Sequence, residues 1–403
     1  MYKDKPNRWA IIILWMINHS LAWATVLAIG ILLPSITSEF KLSYFQQGLV
    51  ASVPIWLMTA FYIPSSMYSR RFAAGLITTG TVLSGILFVF LQAIAPLFNL
   101  LLAFRLVFGI TIVLREPTRI QIMQALFRSR EILVVNAIQA FILCTFVTLA
   151  VLTTPLLLNL ADNSWRTILL IFCGISLPPI VIWVLFVPRR IGEEFSNHKS
   201  SSYLDLLKNS IGHQQLWIAG LGFFGVHISW SSFIAFYPTL MFDSYRVSLQ
   251  YSSYILGLAL AVSGIAGLAI GLIAHNWRKR SLYLYISGVF LPCTYILHLF
   301  TDSLPFLLAI ATINGLAWGF FPICLTIAFF VRGIPANNIS IAHAFMFTCL
   351  SLGLALGPII AGSLQDLLGD LRLVLVISCL PSLGIAVVGF SIRNLDDVQN
   401  SET

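Results

Sequence analysis

Apolar residues run through this chain in long blocks separated by short polar connections. A helix rises about 1.5 Å per residue, so a hydrocarbon layer roughly 30 Å thick is crossed by about 20 apolar residues. Twelve blocks reach that length. The first six cover residues 9–33, 45–68, 74–95, 97–124, 132–158 and 167–187. The second six cover 216–241, 252–274, 282–300, 304–330, 340–365 and 371–390. The block at 9–33 is longer than a signal-peptide core and lacks a small-residue cleavage site, so it reads as the first span. One long polar connection, 188–215, divides the two sets. Within it Tyr203, Leu204, Leu206 and Leu207 fit a short amphipathic surface helix, and a flexible linker fits equally well. The pattern predicts an N-terminal bundle over 1–188, a cytoplasmic linker over 189–214 and a C-terminal bundle over 215–403.

Composition supports this division. Of the 403 residues, 58% are hydrophobic and 9% charged, against about 45–50% and about 25% in soluble domains. The chain reads as an all-α integral membrane protein with twelve transmembrane helices. A net charge of +8 raises the question of nucleic acid, but the charges are placed otherwise. Arg8, Arg70, Arg71, Arg128, Arg130, Arg189, Arg190, Arg278, Arg280, Arg332 and Arg393 fall in alternate connections. The opposite set holds Lys41, Arg166, Arg246 and Arg372. This is the positive-inside pattern and puts both termini in the cytoplasm. The six cysteines lie in apolar runs without metal-ligand spacing and read as buried thiols. No cofactor is expected, and no phosphate loop, nucleophile triad or metal cluster points to an enzyme.

One stretch breaks the apolar pattern: Arg115-Glu116-Pro117-Thr118-Arg119, inside the fourth block. An ionised side chain at the centre of a membrane helix costs roughly 2.5–3.5 kcal/mol on insertion scales. If the stretch is intramembrane it is the place to look for function. If the helix ends at Leu114, the charges are an ordinary cytosolic cluster.

An internal duplication bears on that choice. Leu101-Leu102-Ala103-Phe104 with Gly109 matches Leu307-Leu308-Ala309-Ile310 with Gly315 at an offset of 206. Arg166 and Cys173 match Arg372 and Cys379 at the same offset. His19, followed by Trp23, and His227, followed by Trp230, stand 208 apart. The tenth block stays apolar well past the position equivalent to Arg115, so by symmetry the fourth span continues to about Gln124 and the charges are intramembrane.

Gly271-Leu272-Ile273-Ala274-His275-Asn276-Trp277-Arg278-Lys279-Arg280 resembles the major facilitator signature Gly-x-Leu-Ala-Asp-Arg-x-Gly-Arg-Arg, at the place of its second copy. The first copy, ending Ser69-Arg70-Arg71, lacks the glycine and the acid. Arg105 followed by Gly109 is similar to the family's second motif, and Ser164-Trp165-Arg166 to an entry to its sixth helix. Gly362, Leu364, Asp366 and Gly369 also fit the signature. The resemblance implies two pseudo-symmetric six-helix bundles around a central cavity that opens alternately to each side. It implies no particular substrate.

Within that frame the candidate residues sort by role. Arg115 and Arg119, four apart, share a helix face, and the trio they form with Glu116 carries a net +1. Either Glu116 neutralises Arg119 structurally, or one guanidinium is left for a carboxylate or similar anion. Pro117 is expected to kink or loosen the helix. Glu116 is the acid available for proton coupling, and the resemblance suggests Arg105 for the same role, against a snorkelling arginine. His19, His227, Trp23, Trp230, Asn314 and Trp318 are candidate cavity residues, with buried packing as the alternative; His298 and His343 read as structural. Gly271, His275, Arg278 and Arg280 belong to a cytoplasmic gate or simply enforce topology. Span five lacks the Gly-rich run ending Gly-Pro of the superfamily's drug antiporters, reading Leu149 to Pro155 without glycine.

The expectation is a monomeric secondary transporter that moves a small, anionic solute across a bacterial inner membrane by proton symport. The alternatives are an exporter of hydrophobic or cationic compounds and a transporter-like sensor without flux.

Overall fold

The computed structural model describes residues 7–69, 72–127, 131–191, 212–273, 277–327, 331 and 339–392. Arg70, Arg71, Arg128, Arg130, the surface helix expected at 203–207, His275, residues 328–330 of the tenth block, Arg332 and Arg393 lie outside them.

Every regular element among the described residues is helical. In the N-terminal half these are α1 (Arg8–Leu27), α2 (Ile29–Phe40), α3 (Tyr44–Tyr68), α4 (Ala74–Ala93), α5 (Phe98–Leu126), α6 (Ile132–Leu160) and α7 (Trp165–Phe186). The C-terminal half has α8 (Gln214–Tyr245), α9 (Leu249–Ile273), α10 (Trp277–His298), α11 (Leu304–Trp318), α12 (Phe321–Thr326), α13 (Ile339–Leu368), α14 (Leu371–Cys379) and α15 (Gly384–Ile392). Among the described residues, twelve helical stretches are long and apolar enough to cross a membrane. Their outer surface is apolar: Leu160, Phe186 and Ile273 are 83%, 75% and 75% exposed, which suits lipid and would be costly in water.

Three spans expected as single helices are interrupted, the tenth and twelfth at a proline and the first at Ala28, ahead of Pro34. A proline lacks the N–H that would bond the carbonyl four residues back. Pro322 withdraws that donor from Trp318, where α11 ends, and the span resumes after Gly319 and Phe320 as α12. The tenth span is therefore broken at mid-course. Pro381 sits in a 3₁₀ turn, Leu380–Leu383, between α14 and α15. Pro34 lies one turn into α2, beyond the break at Ala28. By contrast α5 runs on through Pro117 as one helix.

The two halves pack alike. A Cβ on Gly109 would stand 1.8 Å from the Pro54 carbonyl oxygen, and one on Gly315 would stand 2.5 Å from that of Ala259. These are the same crossing, α5 on α3 and α11 on α9, and it closes only because the residue is glycine. Between halves, α13 lies against α3 and α9 against α6. The α13–α3 crossing is close at Gly48, whose Cβ would meet the Pro358 carbonyl at 2.4 Å, and at Gly362, which would meet that of Tyr44 at 2.4 Å. At the same end Asp366 accepts from the backbone N–H groups of Tyr44 (3.2 Å) and Phe45 (2.9 Å). A carboxylate of one half thus caps the positive end of a helix in the other. The cysteines depart in part from expectation: Cys173, Cys324 and Cys379 are buried, Cys144 and Cys349 partly so, and Cys293 is exposed.

Candidate functional site

A cavity of about 210 Å³ lies between the halves, bounded by α1, α5 and α6 on one side and α8 to α13 on the other. Its first wall is polar. Glu116 on α5 holds His19 on α1, with Oε1 2.8 Å from Nε2. Its other oxygen is 3.6 Å from Nε of Arg119, one turn further along the same helix. Arg119 Nη1 donates to Asn136 Oδ1 at 2.8 Å and Gln139 Oε1 at 3.0 Å, both on α6. All five of these side chains line the cavity. Trp15 stacks on His19 with ring centroids 4.8 Å apart at 15° and donates to Thr118 at 3.1 Å, which fixes the imidazole's plane.

The second wall is aromatic. Trp230 and Trp318 stand 6.0 Å apart at 61°, His227 is 5.7 Å from Trp318 at 77°, and Phe321 is 6.2 Å from His227 at 61°. Phe321 and Pro322 reach the cavity because the tenth span breaks beside it. Trp318 Nε1 donates to the Tyr295 hydroxyl at 2.7 Å, and Asn314 Nδ2 to Thr294 Oγ1 at 2.8 Å. His227 and His298 each turn Nδ1 to a carbonyl of their own helix, at 2.8 and 2.6 Å.

The duplication is visible in this geometry. His19 and Trp23 have ring centroids 6.5 Å apart at 66°, and His227 and Trp230 repeat both values.

Of the residues singled out from sequence, the cavity brings together His19, Trp23, Glu116, Arg119, His227, Trp230, Asn314 and Trp318. Arg115 is not among them. It turns into the N-terminal half, where Nη1 donates to the Asn18 carbonyl (2.9 Å), Nη2 to the Thr81 carbonyl (3.1 Å) and Nε to Thr81 Oγ1 (3.4 Å). Beside it is a separate void of about 30 Å³. Two groups four apart on a helix differ by about 40° in direction. Between α4 and α6 that difference is enough to send one guanidinium into packing and the other into the cavity.

Arg105 is also apart. It is fully buried, donating to the Val50 carbonyl at 2.8 Å and to Gln92 Oε1 at 3.1 Å, so it neither snorkels nor meets Glu116. Of the gate residues, a Cβ on Gly271 would lie 3.4 Å from Ala137 and 3.8 Å from Pro322, where α9, α6 and α12 meet. Arg280 is half-buried in the first turn of α10, which also contains Arg278.

Trp15, Asn136, Gln139 and Tyr295 escaped the sequence reading, and His298, read as structural, lines the cavity. Asn136 and Gln139 carry a signal that was available: two amides three apart in an otherwise apolar block, directly after the charged span. His343 stacks on Phe347 at 4.6 Å and 23° and lies close enough to Arg119 and Glu116 to interact with both charges.

Twelve spans in two matched halves, with charge buried in the cavity between them, define a polytopic membrane carrier. The chain belongs to the Major Facilitator Superfamily, whose family pattern matches residues 15–358. Its fold is similar to that of a bacterial homolog of the human lysosomal transporter Spinster in an inward-facing, unoccupied conformation. The likeness covers 98% of this chain and 96% of that one, at 16% identity and a TM-score of 0.72. The nucleoside transporter NupG is similar over 96% of this chain and 99% of its own, at 13% identity and a TM-score of 0.74. No curated protein matches the sequence.

Proposed function

We propose that the chain carries a small organic anion across the bacterial inner membrane by alternating access, together with a proton. The observation that carries this reading is Arg119: it lines the cavity, and its acidic partner stands at 3.6 Å, beyond hydrogen-bond reach. A guanidinium held by two neutral amides keeps its charge available, and its planar fork suits a carboxylate. An anion at Arg119 draws that charge away from Glu116, and a proton taken up on the His19–Glu116 pair restores the balance. Anion and proton then move together with no net charge added to the site. The two halves would rock about this cavity, which lies where the broken tenth span faces the charged fourth. Arg115 is assigned to the scaffold.

The aromatic wall favours a second reading, an exporter of hydrophobic cations drawn to Glu116. It is the weaker one, because His19 already takes one oxygen of that carboxylate and the Arg119 guanidinium beside the other would repel a cation.

Uptake of a panel of radiolabelled anions and lipophilic cations into proteoliposomes, with an imposed inward proton gradient, tests the proposal. The expected result is gradient-driven anion uptake that is lost in Arg119→Gln. Anion uptake unaffected by that substitution rejects it. Cation efflux that requires Glu116 would establish the second reading, and no flux of any compound would leave a sensor.

A further inference from the structure

We infer that the anion is a monocarboxylate borne on a single aromatic ring, its carboxylate at Arg119 and its ring on the wall of Trp230, Trp318 and Phe321. The inference rests on the anion reading above and adds the body of the substrate to its charge. Three observations carry it.

Charge is confined to one side. Among the described residues lining the cavity, the acid and the arginine come from α5, while the wall from α8 to α13 contributes no Asp, Glu, Lys or Arg. A solute with one charged end and an uncharged body matches that division; a dicarboxylate or a zwitterion with separated charges does not.

The uncharged wall has few free hydrogen-bonding atoms. The Trp318 N–H is taken by Tyr295 and the Asn314 N–H by Thr294, and Nδ1 of His227 and His298 by backbone carbonyls, which leaves Nε2 of the two imidazoles, the Asn314 carbonyl and the Tyr295 O–H for a ligand. A sugar or other polyol, with a hydroxyl on nearly every carbon, would bury more of them than these atoms can partner, which a binding site penalises heavily. The half-buried rings of Trp230 and Trp318 are instead inclined to one another at 61°, so a third ring can meet one by its edge and the other by its face.

Size agrees with a single ring. A protein cavity of roughly 150 Å³ lined by apolar side chains holds one benzene. The present cavity, at about 210 Å³, has room for one such ring with a carboxylate beside it.

The test uses the full-length chain in proteoliposomes, by counterflow of benzoate, cyclohexanecarboxylate, acetate and benzamide. Benzoate is expected to exchange about three- to tenfold better than cyclohexanecarboxylate, the range that aromatic pairing supplies beyond area burial. Trp318→Leu and Trp230→Leu should bring that ratio to about one, and Trp318→Phe should restore part of it; thermal melting in detergent confirms that each variant is folded. Equal exchange of the two ring acids by the wild type overturns the inference, as does an unchanged ratio in both leucine variants. If exchange is sensitive to Arg119→Gln yet shows no ring preference, the anion reading stands and the aromatic body falls. If benzamide exchanges as well as benzoate and Arg119→Gln has no effect, both fall together.

Discussion

Replacing Arg115 by methionine separates a scaffold charge from a functional one. Its guanidinium makes two good hydrogen bonds, 2.9 Å to Asn18 and 3.1 Å to Thr81, and a longer one of 3.4 Å. Hydrogen bonds to a charged group contribute about 1.5–3 kcal/mol each, so the two short ones supply roughly 3–6 kcal/mol. Against this stands the roughly 2.5–3.5 kcal/mol cost of holding the charge in the membrane, which the substitution recovers. The acceptors are mostly helix carbonyls with partners in their own helices, and methionine fills much of the vacated volume. Arg115→Met should therefore lose no more than about 3.5 kcal/mol of stability, most plainly as a lower melting temperature in detergent. Substrate affinity and gradient-driven uptake should persist in the folded fraction. Arg119→Met also loses two short hydrogen bonds, 2.8 Å to Asn136 and 3.0 Å to Gln139, and should cost a similar amount of stability, but uptake should be lost even in the folded fraction. The reasoning is refuted if Arg115→Met melts like the wild type yet no longer binds anion, since the side chain would then have reached the substrate.

Three further substitutions test other parts of the structure. Glu116→Gln should abolish uptake driven by a pH gradient while counterflow at equal pH continues; retained coupling would move the proton to another group. Gly109→Ala places a Cβ 1.8 Å from the Pro54 carbonyl and should cost about 1–3 kcal/mol or more as overpacking, whereas Gly174→Ala, with nothing within 4 Å, should leave the melting temperature alone. Asp366→Ala removes the carboxylate that caps α3, a contribution of about 0.3–1 kcal/mol at a helix N-terminus. It should speed labelling of Leu27→Cys from the outer face about two- to fivefold in a background without the native cysteines, and an unchanged rate would mean that the cap plays no part in closure.

The spans were legible because the lipid imposes one strong rule on length and composition, and the chain obeys it twelve times. The cavity was legible in part because it was built twice: the repeated His–Trp pair marked α1 and α8, where no single histidine would have stood out. The breaks in the first, tenth and twelfth spans were not read, although each lies near a proline, because Pro117 in α5 shows that a proline alone does not decide the matter. What breaks or preserves a helix there is the neighbouring backbone, which composition does not report. Rotation about the helix axis was the other blind spot. Arg115 and Arg119 share a face by spacing, and only the positions of Asn18, Thr81, Asn136 and Gln139 on three other helices decide which one meets the cavity. Those are contacts between elements far apart in sequence, and hydropathy carries no trace of them.

The imidazole–indole pairs of the two copies keep one posture, while charge survives in the first copy alone. A passage so divided is polarised like a keyhole with a single slot. On that reading a solute with one ionised end would lie in it with only one heading, because the reversed heading strands its charge among rings, away from the guanidinium. The rocking of the two halves would then hand every molecule across in the same orientation, whichever way the gradient drives it.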